Sequence, residues 1–153
     1  MSQFSDAYTE LKSRLAAKLP SADGWKQLTN PYDVAQNSEL FLEQGYGLAI
    51  GPGSNSRRTL SNTLSVQRDM LVTISRKVFA LEEDIDKLET VVKQLIEDKL
   101  LVVKDFEINS TLNAGRVVTG YQNDGGVQFV NGEQENYAYI TFTMQIEYFE
   151  NLA

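Results

Sequence analysis

The sequence predicts an α+β fold: a mostly antiparallel sheet with two helices packed on one face, plus a long extended strand and arm. Three observations carry this. Residues 4–19 and about 81–99 repeat apolar side chains at helical spacing. Residues 64–80 alternate apolar and polar side chains as a strand does. Residues 117–151 read as three strands in a row, a meander broken at Asn123-Asp124-Gly125-Gly126 and at Asn131-Gly132. Those glycines supply the positive φ angles that tight hairpins need.

Helix one carries Phe4, Tyr8, Leu11, Leu15 and Leu19 as a single stripe, with Asp6 at its positive end, Lys18 at its negative end and Pro20 as its stop. Residues 21–29 read as a loop holding Trp25, the one tryptophan. Asn30-Pro31 reads as the start of a short helix, with Asn as cap and Pro in the first turn. Residues 38–44 fit strand and helix equally, and residues 45–50 fit a short glycine-rich strand. Residues 51–62, made of Gly, Pro, Ser and Asn with Arg57 and Arg58 side by side, read as a flexible arm. The long strand that follows places Leu64, Val66, Met70, Val72, Ile74 and Val78 on one parity, interrupted by Arg68 and Arg76. Charges on an apolar parity call for a partner or a place at the sheet margin. Helix two has Leu81, Ile85, Leu88, Val92 and Leu95 as its stripe, broadened by Val91 and Ile96, with Glu82, Glu83, Asp84 and Asp86 at its start. Residues 100–103 and 106–108 suggest a further short apolar segment before a polar loop, 109–115. In the last strand Ala138, Ile140, Phe142, Met144, Ile146 and Tyr148 share the core-facing side, and Tyr137, Tyr139, Thr141, Thr143, Gln145 and Glu147 the other. The expected core is Leu11, Leu15, Val72, Ile74, Leu88, Val92, Leu95, Ile140, Phe142 and Ile146.

At 153 residues the chain makes one domain, with the arm at 51–62 as its loosest part. No cysteine means no disulfide, no thiolate ligand and no cysteine nucleophile. No histidine removes the usual general base and the commonest metal ligand. The glycines at 45 and 47 lack the third of a dinucleotide fingerprint, and no Gly-Lys-Ser/Thr makes a phosphate loop. The acidic run at 82–86 lacks the glycine and ligand spacing of a calcium loop. The expectation is a protein that is not an enzyme and takes no cofactor or metal. A formal charge of −7 argues against a broad nucleic-acid-binding face. No run is long enough to span a membrane, and the N-terminus has no secretory pattern.

Residues spread over most of the chain resemble the tail-terminator (tail-completion, or neck) proteins of tailed bacteriophages. They are the amphipathic N-terminal helix, Asn30-Pro31-Tyr32, Glu43-Gln44-Gly45-Tyr46-Gly47-Leu48-Ala49-Ile50-Gly51, Val66-Gln67-Arg68, helix two, Asp124-Gly125-Gly126-Val127, and Phe142-Thr143-Met144-Gln145-Ile146-Glu147-Tyr148-Phe149-Glu150. The resemblance implies a six-fold ring of identical subunits that caps the finished tail tube, stops its polymerisation and meets the head–tail connector or stopper. Genomic DNA would pass through the lumen without sequence-specific binding. The protein would belong to the tail-neck region of the virion, assembled in the host cytoplasm. Assembly contacts are expected at Arg57, Arg58, Arg68, Arg76, Tyr137 and Tyr139. The competing readings are a tail-tube or head-side stopper subunit of the same particle and a non-viral ligand-binding or assembly-chaperone domain, which predicts a monomer or dimer with an apolar pocket. A carboxylate-based enzyme comes last.

Overall fold

A computed structural model describes residues 3–28, 30–32, 44–59, 62–78, 85–113, 115–119, 126–131 and 136–152. Along them run α1 (Gln3–Lys18), a 3-10 turn (Ser21–Asp23), β1 (Trp25–Gln27), β2 (Gln44–Arg58), β3 (Thr63–Val78), α2 (Ile85–Ile108), β4 (Arg116–Thr119), β5 (Val127–Asn131) and β6 (Asn136–Asn151). Among the described residues the strands make one six-stranded sheet, ordered β1-β2-β3-β6, with β4 and β5 sharing the far side of β6. Only β1–β2 is parallel. Both helices cover one face, which is the α+β architecture the sequence predicts.

The alternation of β3 and β6 builds the core. In direct register, Met70 faces Met144, Val72 faces Phe142 and Ile74 faces Ile140, all on the helix side. Ala7, Leu11 and Leu15 of α1 and Leu95, Val102 and Phe106 of α2 pack down on them. The helices are joined across their tops by Asp105, which accepts from Arg14 at 3.2 Å and lies 3.5 Å from the Lys18 ammonium. The Arg14 guanidinium also stacks over Phe106, 4.3 Å from the ring centre.

The structure departs from the sequence reading in several places. Within the expected loop at 21–29, Trp25–Gln27 is a strand alongside Gln44–Tyr46; three residues are too few to show a period. Residues 51–58, expected as an arm, are the outer half of β2, because Ser54–Arg58 ladder onto Leu64–Arg68. The ladder satisfies the backbone, so no apolar anchor is required. Helix two does not stop near Lys99 but runs to Ile108, so the segments at 100–103 and 106–108 are its last turns. Val102 and Phe106 bury on the face of Leu95, while Leu88 and Val92 are only half-buried. The last three strands are not a meander: β4 and β5 both run antiparallel to β6, so neither runs back on the other. They lie end to end along one edge, β4 opposite Met144–Glu147 and β5 opposite Asn136–Ile140. Asn30, Pro31 and Tyr32 make a turn closed by the Tyr32 N–H donating to Asn30 Oδ1 at 3.0 Å. The expected continuation of that helix, the ambiguous stretch 38–43, the acidic start of helix two at 82–84 and the Asn123-Asp124-Gly125 step lie outside the described residues.

Candidate functional site

The helix-free side of the sheet is built of opposed polar side chains. The register places Gln67 against Glu147, Asp69 against Gln145 and Thr73 against Thr141. Each pair is hydrogen-bonded: Gln67 Nε2 donates to Glu147 Oε2 (3.2 Å), Gln145 Nε2 to Asp69 Oδ1 (3.0 Å), and the two threonine hydroxyls share a bond of 3.0 Å. The Ser75 hydroxyl donates to the Gly45 carbonyl. A cross-strand ladder of this kind fixes register and leaves a polar surface. At one end of the ladder Tyr139 stands opposite Ser75 and Tyr137 opposite Lys77. Tyr139 is half-buried and Tyr137 buried.

One margin of this face is covered. Leu28 and residues 30–32 lie across β2, with the Leu28 N–H donating to the Tyr46 carbonyl and the Tyr32 hydroxyl accepting from the Ile50 N–H. Gly47 makes the crossing possible, since a Cβ there would stand 2.8 Å from Pro31 and 3.2 Å from Leu28.

The structure divides the four arginines expected at assembly contacts. Arg68 and Arg76 point to the helix side and are engaged within the subunit. Arg68 Nε donates to the Tyr148 hydroxyl at 3.2 Å, and its guanidinium lies 5.3 Å from the Phe4 ring centre. Arg76 holds Asp98 of α2 with two bonds, 2.6 and 2.9 Å, and its guanidinium stacks near Trp25. These two cations tie helices to the sheet rather than face outward. Arg57 and Arg58 are exposed at the far end of β2, Arg58 in a long hydrogen bond to Asn62. The tyrosines therefore sit on the polar face and the exposed arginines at its opposite end, so the six residues do not form one cluster.

A feature the sequence reading missed lies on the other edge. Between α2 and β5 opens an apolar cleft of about 540 Å³, lined by Val92, Ile96, Lys99, Leu100, Gly126, Val127, Phe129 and Ile140. Ile96, Leu100 and Phe129 are each roughly half exposed. The signal was present: Val91, Val92, Ile96 and Leu100 make the helix-two stripe wider than one sheet contact needs. Among the described residues no helix is long and apolar enough to cross a membrane. Set against known proteins, the chain matches no family model and no curated protein.

Proposed function

We propose that this chain is a structural protein of a tailed-bacteriophage neck, a tail terminator that caps the tail tube as a six-fold ring and presents a surface to the head–tail connector. The supporting observation is where the resembling residues fall. Residues 44–51, 66–68 and 142–150 lie on β2, β3 and β6, three adjacent strands, and Val66–Arg68 pair directly with Ile146–Tyr148. Three of the resembling segments thus lie side by side in one sheet. The polar ladder suits a lumen in that its carboxylates accept hydrogen bonds from neighbouring amides, and the chain's formal charge of −7 lets DNA slide without adhering. No step of this role needs a catalytic group or a cofactor, and the site of action is the virion neck.

A ligand-binding or assembly domain is the second reading, and the apolar cleft is the observation in its favour. Light scattering on the protein alone and with purified tail tubes separates the readings. A terminator forms rings or caps tubes and never stacks into tubes itself, because its ring contact must not repeat along the axis. A tube subunit elongates. A protein that stays monomeric or dimeric and ignores tubes is neither.

A further inference from the structure

The sheet's outer edges are capped almost everywhere among the described residues. On the β2 side, β1, the Leu28 N–H and the Tyr32 hydroxyl occupy the stretch from Gln44 to Ile50. On the other side, Val117 of β4 donates to the Ser110 carbonyl, and Phe149 of β6 donates to Gln3 Oε1. Apart from the three-residue β1, two longer stretches have no described strand or cap beside them: 54–58 of β2 and β5. They are protected very differently. The first follows Gly51-Pro52-Gly53 and a register break, and it ends in two arginines, which are devices that discourage pairing. The second, Val127-Gln128-Phe129-Val130-Asn131, has no charge, proline or bulge.

We propose that β5 is a self-association edge, at which two copies of this chain pair β5 against β5, antiparallel, about a two-fold axis at Phe129. This goes beyond the ring reading and does not depend on it. The backbone alternation fits. Because the Phe149 N–H points away from β3, the odd-numbered residues of β6 turn their backbone groups toward β4 and β5. Gln128 and Val130, opposite Tyr139 and Tyr137, bond to β6, and Val127, Phe129 and Asn131 present theirs outward. Pairing about Phe129 sets Val127 of one copy against Asn131 of the other, so the outward groups of both copies are matched. The side chains fit as well. Val127 and Phe129 lie on the helix side, opposite Ile140 and Ala138. The α2 stripe of Val92, Ile96 and Leu100 therefore overhangs the sheet where one more strand would lie. The second copy's Phe129 fills that space, and in a chain of net charge −7 an uncharged strand is where two copies repel least. An isologous contact closes at two copies. It therefore yields a dimer in which the cleft is covered, distinct from any head-to-tail ring contact.

The test uses the intact chain, whose lack of cysteine makes a single introduced thiol a clean reporter. Sedimentation equilibrium up to about 100 µM should show a monomer–dimer equilibrium of roughly micromolar strength, as a small interface allows. Phe129→Cys should cross-link to itself on mild oxidation, since facing Cα atoms across such a pair lie about 5.5 Å apart. Ser56→Cys, on the protected edge, should not. Phe129→Lys should weaken the dimer at least about tenfold with unchanged circular dichroism and melting. A protein monomeric at that concentration overturns the proposal, as does an oligomer indifferent to Phe129→Lys or a cleft occupied by a co-purified small molecule in native mass spectra. Tube capping is scored separately, so either idea can fail while the other stands.

Discussion

Arg76 and Phe106 show how individual side chains settle where the helices sit. Arg76 lies on the helix-facing parity of β3, where an isolated charge would be costly, and Asp98 answers it with a two-point hydrogen-bonded pair. Both side chains are more than four-fifths shielded, at 18% and 12% exposure, so removing one partner leaves the other poorly solvated. Asp98→Ala should therefore cost about 2–3 kcal/mol in urea unfolding, below the cost for a fully buried pair. The double variant Arg76→Met with Asp98→Leu should recover most of that loss, and a double variant no better than Asp98→Ala would show that the pair matters for more than charge. Among apolar residues the order of cost follows burial. Phe106 and Phe142 are 1% and 3% exposed, and truncation of either to alanine should cost about 3–5 kcal/mol. Leu88, half-buried, should cost about 1–2 kcal/mol. Denaturation midpoints at unchanged slope test that ranking, and an equal loss at Leu88 would mean that it is covered in solution.

At the scale of elements, β2 is the part whose geometry depends most on glycine. Residues 51–53 stand opposite Asp69 alone, between the Ile50–Met70 and Ser54–Arg68 pairs. A Cβ on Gly51 would meet the Asp69 carbonyl oxygen at 2.9 Å and its Cβ at 3.0 Å, so Gly51→Ala should cost about 1–2 kcal/mol as an overpacking change. Equilibrium unfolding measures this, and a neutral result would show that the bulge relaxes freely. The bulge also explains why β2 was only half legible. Residues 45–50 look like a strand because their side chains pack on both faces, whereas Ser54–Arg58 hold their place by backbone bonds that leave no mark on hydrophobic pattern. For α1, β3 and β6, period and burial coincide, so their extents and faces were readable to within a residue or two. The length of α2 was obscured because Leu100, Leu101 and Ile108 are exposed apolar residues that blur the stripe through Val102 and Phe106. The path of β4 and β5 was unreadable for another reason: two strands that each pair with β6 have the same alternation whether or not they pair with each other. Of the candidate site, the polar face of β6 was legible from alternation. The inward turn of Arg68 and Arg76 was legible from their place on the apolar parity, but their partners Tyr148 and Asp98, distant in sequence, were not.

For the whole molecule, the proposed ring requires contacts between copies that each carry a formal charge of −7, so a pair of adjacent outward cations bears on that contact. Arg57 and Arg58 end β2 on the edge of the sheet remote from β5, exposed and outside the core. A neighbouring subunit or the tube rim, if it offers carboxylates there, gains directional bonds from two guanidiniums. Within the isolated subunit the same residues contribute little, because exposed charges are screened by solvent. Replacing both with serine should therefore shift unfolding by less than about 0.5 kcal/mol. Under the terminator reading it should nevertheless weaken ring formation or tube capping, followed by light scattering and by the length distribution of tubes assembled in its presence. Wild-type protein should stop tube growth at a defined length, and the double variant should let tubes run on. A variant that melts markedly earlier yet still stops growth would make the pair a structural feature of β2. A variant unchanged in both respects would move the ring contact elsewhere on the molecule.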